Sequence, residues 1–230
     1  MLNPLLKIES SSSLDNRIKR SIGLKIKNVL DNAKSLETAS GLKYPPCYVD
    51  PALRVVQASG NVLEGLGVLY ARTIPMQLDS KVTIVVELAA PLVLYGTKAT
   101  LKLVMAHELL HYIELVRNFM SMNVTSEITS STVFEERFID SSRAIAPSLV
   151  FKNKRFARNL AQRTSTGFDD PKLNEKCRVK WIEKGLPTFK IPMGSNQVSI
   201  PVGSILLTEF DPRIKQIISS AKLAPEGKNP

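Results

Sequence analysis

Residues 81–111 read KVTIVVELAA PLVLYGTKAT LKLVMAHELL H and contain the clearest strand and helix signals in the chain. A strand is predicted over Lys81–Ala89 because apolar side chains occupy alternate positions there, at Val82, Ile84, Val86 and Leu88. Gly96 ends this region, and Thr97 can cap a helix that runs to about Met122. The sequence therefore predicts a strand followed closely by a long, mostly buried helix.

The residues before this strand predict one helix and two further strands. An amphipathic helix with a basic outer face is predicted over 14–36, and Gly41 ends it. Two strand-like runs follow, at 54–59 and 62–71, with Gly60-Asn61 as a tight turn between them. Together with the strand that comes next, they predict a β-meander.

The residues after the long helix predict further helices and one hairpin. A helix is predicted over 131–145, a basic helical stretch over 152–185, a hairpin-like pair around Gly194-Ser195-Asn196, and a last helix opened by Asp211-Pro212. The predicted fold class is α+β: a small antiparallel or mixed sheet packs on the helix that starts near Thr97, and an additional α+β tail follows.

The predicted domain organisation is one core with two flanks. Residues 1–13 end in a run of serines and are expected to be a flexible leader. Residues 14–150 form the expected core. Residues 151–230 form a basic C-terminal extension that we expect to pack on the same domain.

Composition excludes several classes of protein. The chain has 230 residues, of which 43% are hydrophobic, and this fraction excludes global disorder. Its two cysteines, Cys47 and Cys177, lie 130 residues apart, which excludes a disulfide framework and a cysteine-based zinc finger. No run of apolar residues approaches the roughly 18 that a membrane span needs, and the first residues lack a signal-peptide pattern, so a cytoplasmic protein is expected. A net charge of +10 indicates an acidic partner.

The chain has two histidines, and both fall in the sequence His107-Glu108-Leu109-Leu110-His111. Residues four apart stack on one face of a helix, so both imidazoles can reach a single metal ion. Glu108 occupies a neighbouring position, where its carboxylate can take a proton from a metal-bound water. These roles are the ones that a catalytic zinc site requires, and the motif predicts such a site.

A catalytic zinc usually has three protein ligands, which are His, Cys, Asp or Glu. Because the chain has no third histidine, the remaining ligand must be Asp, Glu or Cys. Glu136 and Asp140 are four residues apart on the helix predicted over 131–145. Glu136 can bind the metal while Asp140 accepts a hydrogen bond from the outer nitrogen of a liganding histidine. Glu135 stays open as the alternative ligand, but Ile139 follows it one turn later, so it lacks such a partner.

The pattern His107-Glu108-x-x-His111, then 24 residues, then Glu136-x-x-x-Asp140 resembles that of the gluzincin group of zinc metallopeptidases and their small members, the minigluzincins. The similarity covers about 60 residues, 81–140. It implies a zincin-like fold in which a sheet edge above the metal aligns a peptide substrate. It also implies these roles: Zn²⁺ ligands His107, His111 and Glu136, general base Glu108, and Asp140 orienting a histidine.

Three other interpretations stay open. The histidines can be a core pair satisfied by hydrogen bonds, or the zinc site can be non-catalytic or latent. The third alternative is a nucleic-acid-binding protein, because residues 151–190 contain eleven Lys and Arg against four acids, with five aromatic residues between them. The competing interpretation of this basic segment is a solvated helix face whose aromatic side chains belong to the core.

Overall fold

The computed structural model describes residues 3–57, 66–78, 81–122, 131–136, 145–164, 168, 170–191, 196–201 and 208–222. The fold is α+β, with helices predominating over small sheets. Its helices include α1 (Leu6–Ser10), α2 (Asn16–Ser40), α3 (Ala90–Tyr95), α4 (Lys98–Met122), α5 (Pro147–Val150), α6 (Lys154–Thr164), α7 (Pro171–Cys177) and α8 (Pro212–Lys222), and a π-helical turn at Arg178–Ile182 continues α7. Its strands include β1 (Cys47–Asp50), β2 (Leu53–Gln57), β3 (Leu66–Leu69), β4 (Ala71–Leu78), β5 (Lys81–Ala89), β6 (Ser131–Glu136), β7 (Thr188–Ile191) and β8 (Asn196–Pro201).

The described strands form three small sheets. The first has the order β1-β5-β4, with β1 parallel and β4 antiparallel to the central β5. The second has the order β3-β2-β7, and β7 joins it parallel to β2. The third is the antiparallel pair β6-β8. Strand β4 lies at an edge of the first sheet and contains Pro75, which has no N–H to donate and is tolerated at an edge.

Helix α4 has the bounds that the sequence predicts, whereas α2 spans Asn16–Ser40 instead of the predicted 14–36 and ends at the predicted Gly41. In α2, the side chain of Asp15 accepts a hydrogen bond from the Ile18 amide at 2.7 Å, and Gly41 ends the helix in the left-handed region with φ of 73°. The predicted cap of α4 is confirmed because Thr97 Oγ1 accepts from the Thr100 amide at 3.0 Å. The predicted strand at 81–89 is confirmed as β5.

One apolar cluster includes residues from the first helix to the last. Helix α4 lies in it, and most of the side chains between positions 101 and 119 are buried. Phe151, Leu160, Trp181 and Ile214 from the basic extension belong to the same cluster. In the part of the chain that the structure describes, no helix is both long and apolar enough to cross a membrane.

The structure differs from the sequence predictions at the N-terminus. Part of the expected leader forms α1, which packs beside β1, and Ile8 is 1% exposed. The Val49 amide also donates to the Pro4 carbonyl at 2.9 Å. Ile8 buries its apolar side chain, and Lys7 pairs with Glu87 of β5. These two contacts hold the short helix against the sheet.

The predicted helix over 131–145 is wrong in its first part, because residues 131–136 form strand β6 and pair with β8. Residues 131–134 read Ser-Thr-Val-Phe, and β-branched and aromatic residues favour strands over helices. Residues 137–144 lie outside the described residues. The predicted hairpin is also wrong in its pairing: β7 and β8 exist, but they pair with β2 and β6 instead of with each other.

The predicted β-meander is replaced by two sheets. β2 pairs antiparallel with β3, as expected, and the turn at Gly60-Asn61 lies outside the described residues. β4 and β5, however, form a separate sheet with β1. The segment predicted as one strand at 62–71 changes sheets at Tyr70, where β3 has ended and β4 begins at Ala71.

A buried carboxylate ties these sheets to the N-terminal helix. Glu87 of β5 is 2% exposed and accepts a hydrogen bond from Arg72 Nε of β4 at 2.7 Å. Glu87 also pairs with Lys7 of α1, and its Oε2 lies 3.7 Å from a guanidinium nitrogen of Arg54 of β2. Arg54 in turn pairs with the buried Asp50. The carboxylate therefore connects four elements, α1, β2, β4 and β5.

Candidate metal centre

His107 and His111 lie one turn apart on α4 and turn the same ring atoms toward each other. Their Nε2 atoms are 2.9 Å apart, and their ring centroids are separated by 4.3 Å. The helix places them there because residues four apart share a face. Two imidazole nitrogens that converge in this way can bind one metal ion together.

The inner nitrogens of the two rings are left without partners. His107 Nδ1 and His111 Nδ1 are both buried, and neither has a hydrogen-bond partner among the described residues. An unpaired buried polar atom costs about 1–3 kcal/mol, so it needs an explanation in a native protein. This observation does not fit a core pair satisfied by hydrogen bonds. It leaves both Nδ1 atoms without the hydrogen-bond partner that usually orients a metal-binding histidine.

Burial keeps both rings neutral. It lowers the pKa of His107 to about 4. Burial, together with the neighbouring His107, lowers the pKa of His111 to about 3. Neutral imidazole is the form that binds a metal ion, so the environment of the pair suits zinc at neutral pH.

Glu108 lies between the histidine pair and the edge strand β4. Its side chain is 4% exposed, and the Thr73 hydroxyl donates to Glu108 Oε2 at 2.6 Å. The same hydroxyl lies 3.1 Å from the Glu108 carbonyl oxygen. Burial raises the pKa of Glu108 to about 7, and the hydrogen bond from Thr73 opposes this rise. The carboxyl is thus held on the strand edge, in an environment that makes it a stronger base than an exposed glutamate.

We expect replacement of Thr73 with valine to lower kcat/KM for any hydrolysis at this site by about tenfold or more, since a hydrogen bond to a charged group contributes about 1.5–3 kcal/mol. Steady-state kinetics checks the value. Thr73→Ser keeps the hydroxyl and is the matched control, so it should retain most of the activity. Equal losses in both variants, or none in either, would contradict an orienting role for the hydroxyl.

The described residues leave the third ligand open. Within them, no group of three or more His, Cys, Asp or Glu side chains is placed to hold a metal ion. Glu136 is the last residue of β6, where its backbone pairs with Asn196, and Glu135 precedes it on the same strand. Asp140 lies outside the described residues. Because Glu136 belongs to a strand, the argument that Glu136 and Asp140 share a helical face no longer supports choosing Glu136 over Glu135.

The basic segment presents its charge to solvent and most of its aromatic side chains to the core. All eleven Lys and Arg of residues 151–190 are exposed. Phe151 and Trp181 are 1% and 0% exposed, while Phe156 and Phe168 are half-buried. Only Phe189, of the five aromatic residues there, is largely exposed, at 60%. The arrangement favours the solvated face over a surface on which nucleic-acid bases stack.

Two residues near the motif escaped the sequence predictions. Thr73 contacts Glu108 through a strand that is 35 residues away in the chain, and no local pattern indicates this contact. Glu114 is buried on α4 and follows His111 by three residues. The sequence could have indicated Glu114, because an acid three residues after His111 lies on the same face of the helix as the two histidines. No protein-family model, curated protein or solved structure matches the chain, so the site rests on its own residues.

Proposed function

We propose that the protein is a zinc-dependent metallopeptidase that hydrolyses peptide bonds. The observation that carries this proposal is the pair of half-buried, neutral histidines with converging Nε2 atoms, next to a buried carboxylate held at a sheet edge. The donor set fits zinc because imidazole nitrogen is one of its preferred ligands. His107 and His111 would hold the ion. Glu136 stays the proposed third ligand, and Asp140 the proposed partner of a histidine Nδ1, because the resemblance to gluzincins implies these roles.

Each residue of the site has its own role in the proposed hydrolysis. Zinc, when bound, supplies a Lewis acid and lowers the pKa of a water molecule. Glu108 accepts the proton of the attacking water at Oε2 or Oε1 and later donates it to the leaving amine. Thr73 holds Oε2 through its hydroxyl, 2.6 Å away, and so fixes the direction in which the carboxylate faces. Because both rings are neutral, each can bind the ion through Nε2 when its proton is on Nδ1.

Strand β4 is the proposed support for the peptide substrate. It lies at the edge of its sheet, and none of the strands described here pairs with its outer side. An extended peptide can add to such an edge through main-chain hydrogen bonds. Because Thr73 of β4 contacts Glu108, a peptide bound along this edge would pass beside the general base.

Zinc content measured per chain tests the proposal and identifies the third ligand. We expect one zinc in the wild type and its loss in Glu136→Ala, because a catalytic site with two remaining ligands binds zinc weakly. Glu135→Ala is the matched control, since it changes the adjacent acid in the same strand. Loss of zinc in the control alone would assign Glu135 instead. Absence of zinc in the wild type after reconstitution would overturn the proposal.

The two alternative functions give different results in the same samples. One zinc per chain without hydrolysis of any peptide library would indicate a non-catalytic or latent site. Binding of DNA or RNA that falls steeply with salt would indicate a nucleic-acid-binding surface on residues 151–190, because phosphate contacts release counterions. No binding at low salt would dismiss that surface.

A further inference from the structure

Two hydroxyl groups from outside α4 contact its backbone at the histidine motif. Tyr44 Oη donates to the Met105 carbonyl at 2.9 Å. Thr73 Oγ1, which donates to Glu108 Oε2, also lies 3.1 Å from the Glu108 carbonyl oxygen. Met105 comes two residues before His107, and Glu108 comes directly after it. The turn that carries His107 is therefore contacted by a hydroxyl at both of its ends.

The two hydroxyls reach α4 from opposite edges of the first sheet. The order of this sheet is β1-β5-β4, and Tyr44 lies three residues before β1, which begins at Cys47. Cys47 pairs with Val86 of β5, and Val86 pairs with Thr73 of β4. Side chains of directly paired residues point to the same face of a sheet, so this row faces α4 as Thr73 does. The helix is thus held at two points that lie on different sides of the central strand.

Tyr44 is fixed at its backbone and at its hydroxyl. The residue is 6% exposed, and its amide donates to Glu37 Oε1 near the end of α2, 2.9 Å away. Burial raises the pKa of Tyr44 well above its usual value, and Cys47 and Glu108 act in the same direction. The hydroxyl therefore keeps its proton and stays a donor to the Met105 carbonyl.

The hydrogen bond from Tyr44 is directional, whereas apolar packing is not. The buried apolar side chains of α4 set its distance from the sheet, but hydrophobic contacts constrain the position of the helix along its axis less tightly. A catalytic site has to be held within about 0.5 Å of its working geometry. A fixed hydroxyl that binds one carbonyl supplies such a constraint at the turn where His107 and Glu108 lie.

We propose that Tyr44 is a positioning residue, whose hydroxyl fixes the turn 105–108 so that Glu108 meets the Thr73 hydroxyl at the edge of the sheet. This inference rests on the proposed peptidase and adds to it a residue that acts through the backbone of α4. Without the bond to Met105, the turn can shift, and the Glu108 carboxylate then faces in a different direction.

Steady-state kinetics on a peptide that the wild type cleaves tests this role. Tyr44→Phe removes only the hydroxyl. We expect it to lower kcat by about tenfold, which is less than the roughly 100-fold loss that a displacement of about 1 Å can cause. KM and zinc content should stay close to those of the wild type, because the variant removes no proposed ligand and leaves the edge of β4 unchanged.

Asn32→Leu is the matched control for Tyr44→Phe. Asn32 is 2% exposed, and its Nδ2 donates to the Lys98 carbonyl at the start of α4, 3.1 Å away. The control therefore removes a buried hydrogen bond to the same helix but away from the motif, and kcat should not change. Equal losses of kcat in both variants, or no loss in Tyr44→Phe, would overturn the proposal.

A double-mutant cycle tests the same role without zinc or substrate. Denaturant unfolding gives the stability of metal-free Tyr44→Phe, Thr73→Val and the double variant. We expect the double variant to lose less than the sum of the single losses, because Tyr44→Phe already weakens the contact with Glu108 that Thr73→Val removes. Asn32→Leu combined with Thr73→Val should be additive. Additivity in both cycles would overturn the proposal, whereas a wild type that cleaves no peptide would refute the peptidase and leave this test of Tyr44 intact.

Discussion

Replacing Glu108 with glutamine is expected to lower the rate of peptide hydrolysis by about 10²–10⁴-fold, the range that a general base contributes. Glutamine has nearly the same shape as glutamate but cannot accept the proton of the attacking water. The amide oxygen can still accept the hydrogen bond that Thr73 donates, so the local structure should persist. The measurement is kcat/KM on a peptide that the wild type cleaves.

Zinc content is the control for this variant. Glu108 is not a proposed ligand, so Glu108→Gln should bind as much zinc as the wild type and unfold at a similar or higher temperature. A loss of both zinc and activity would show that the side chain supports the metal site instead of the chemistry. Turnover at the wild-type rate with zinc bound would refute its role as the base.

The largest expected effect on stability comes from Glu87. Glu87→Gln removes the charge that faces Lys7, Arg72 and Arg54, and breaking a buried ion pair costs about 3–5 kcal/mol. Because Lys7 and Arg72 are partly exposed, at 39% and 25%, we expect about 3 kcal/mol. Denaturant unfolding at pH 7 measures the difference. Glu175→Gln is the control, since Glu175 is an exposed acid paired with Arg178 and its loss should change stability little.

The difference in stability between the wild type and Glu87→Gln should depend on pH, in a direction that follows from the pKa of Glu87. Burial alone would raise the pKa of Glu87, but the hydrogen bonds and charges of Lys7 and Arg72 outweigh burial and lower it below its usual value. A lowered pKa in the folded state contributes stability above the unfolded pKa and loses it as the pH falls through the folded value. The difference between wild type and Glu87→Gln should therefore be largest above about pH 5 and shrink below about pH 4. A difference that grows on acidification would contradict this account.

Local patterns predicted the parts of the fold that depend on neighbouring residues. Strand β5 and helix α4 follow from the period of apolar residues and from the cap at Thr97, and the histidine pair follows from a spacing of four. Strand β6 lies in the segment predicted as a helix over 131–145, and its pairing with β8 involves residues far along the chain. The period of a strand does not indicate which distant strand it will pair with.

In the candidate site, too, contacts within one helix could be predicted from the sequence, and contacts between distant elements could not. His107, Glu108 and His111 are fixed by one helix, so a single motif was sufficient to place them together. The contact of Thr73 with Glu108 depends on how β4 packs against α4, which no window of sequence contains. The unpaired oxygen of Glu114 depends on burial that only the packed helix creates.

The parallel pairing of β2 with β7 has a consequence for synthesis of the protein. Residues 53–56 of β2 form their ladder with residues 188–191, so the second sheet cannot be completed until most of the chain has left the ribosome. Until then, one side of β2 is an open strand edge, which is a site for aggregation. A chain that ends before Thr188 is therefore expected to depend on chaperones, whereas a chain that includes residues 188–191 closes this edge with β7.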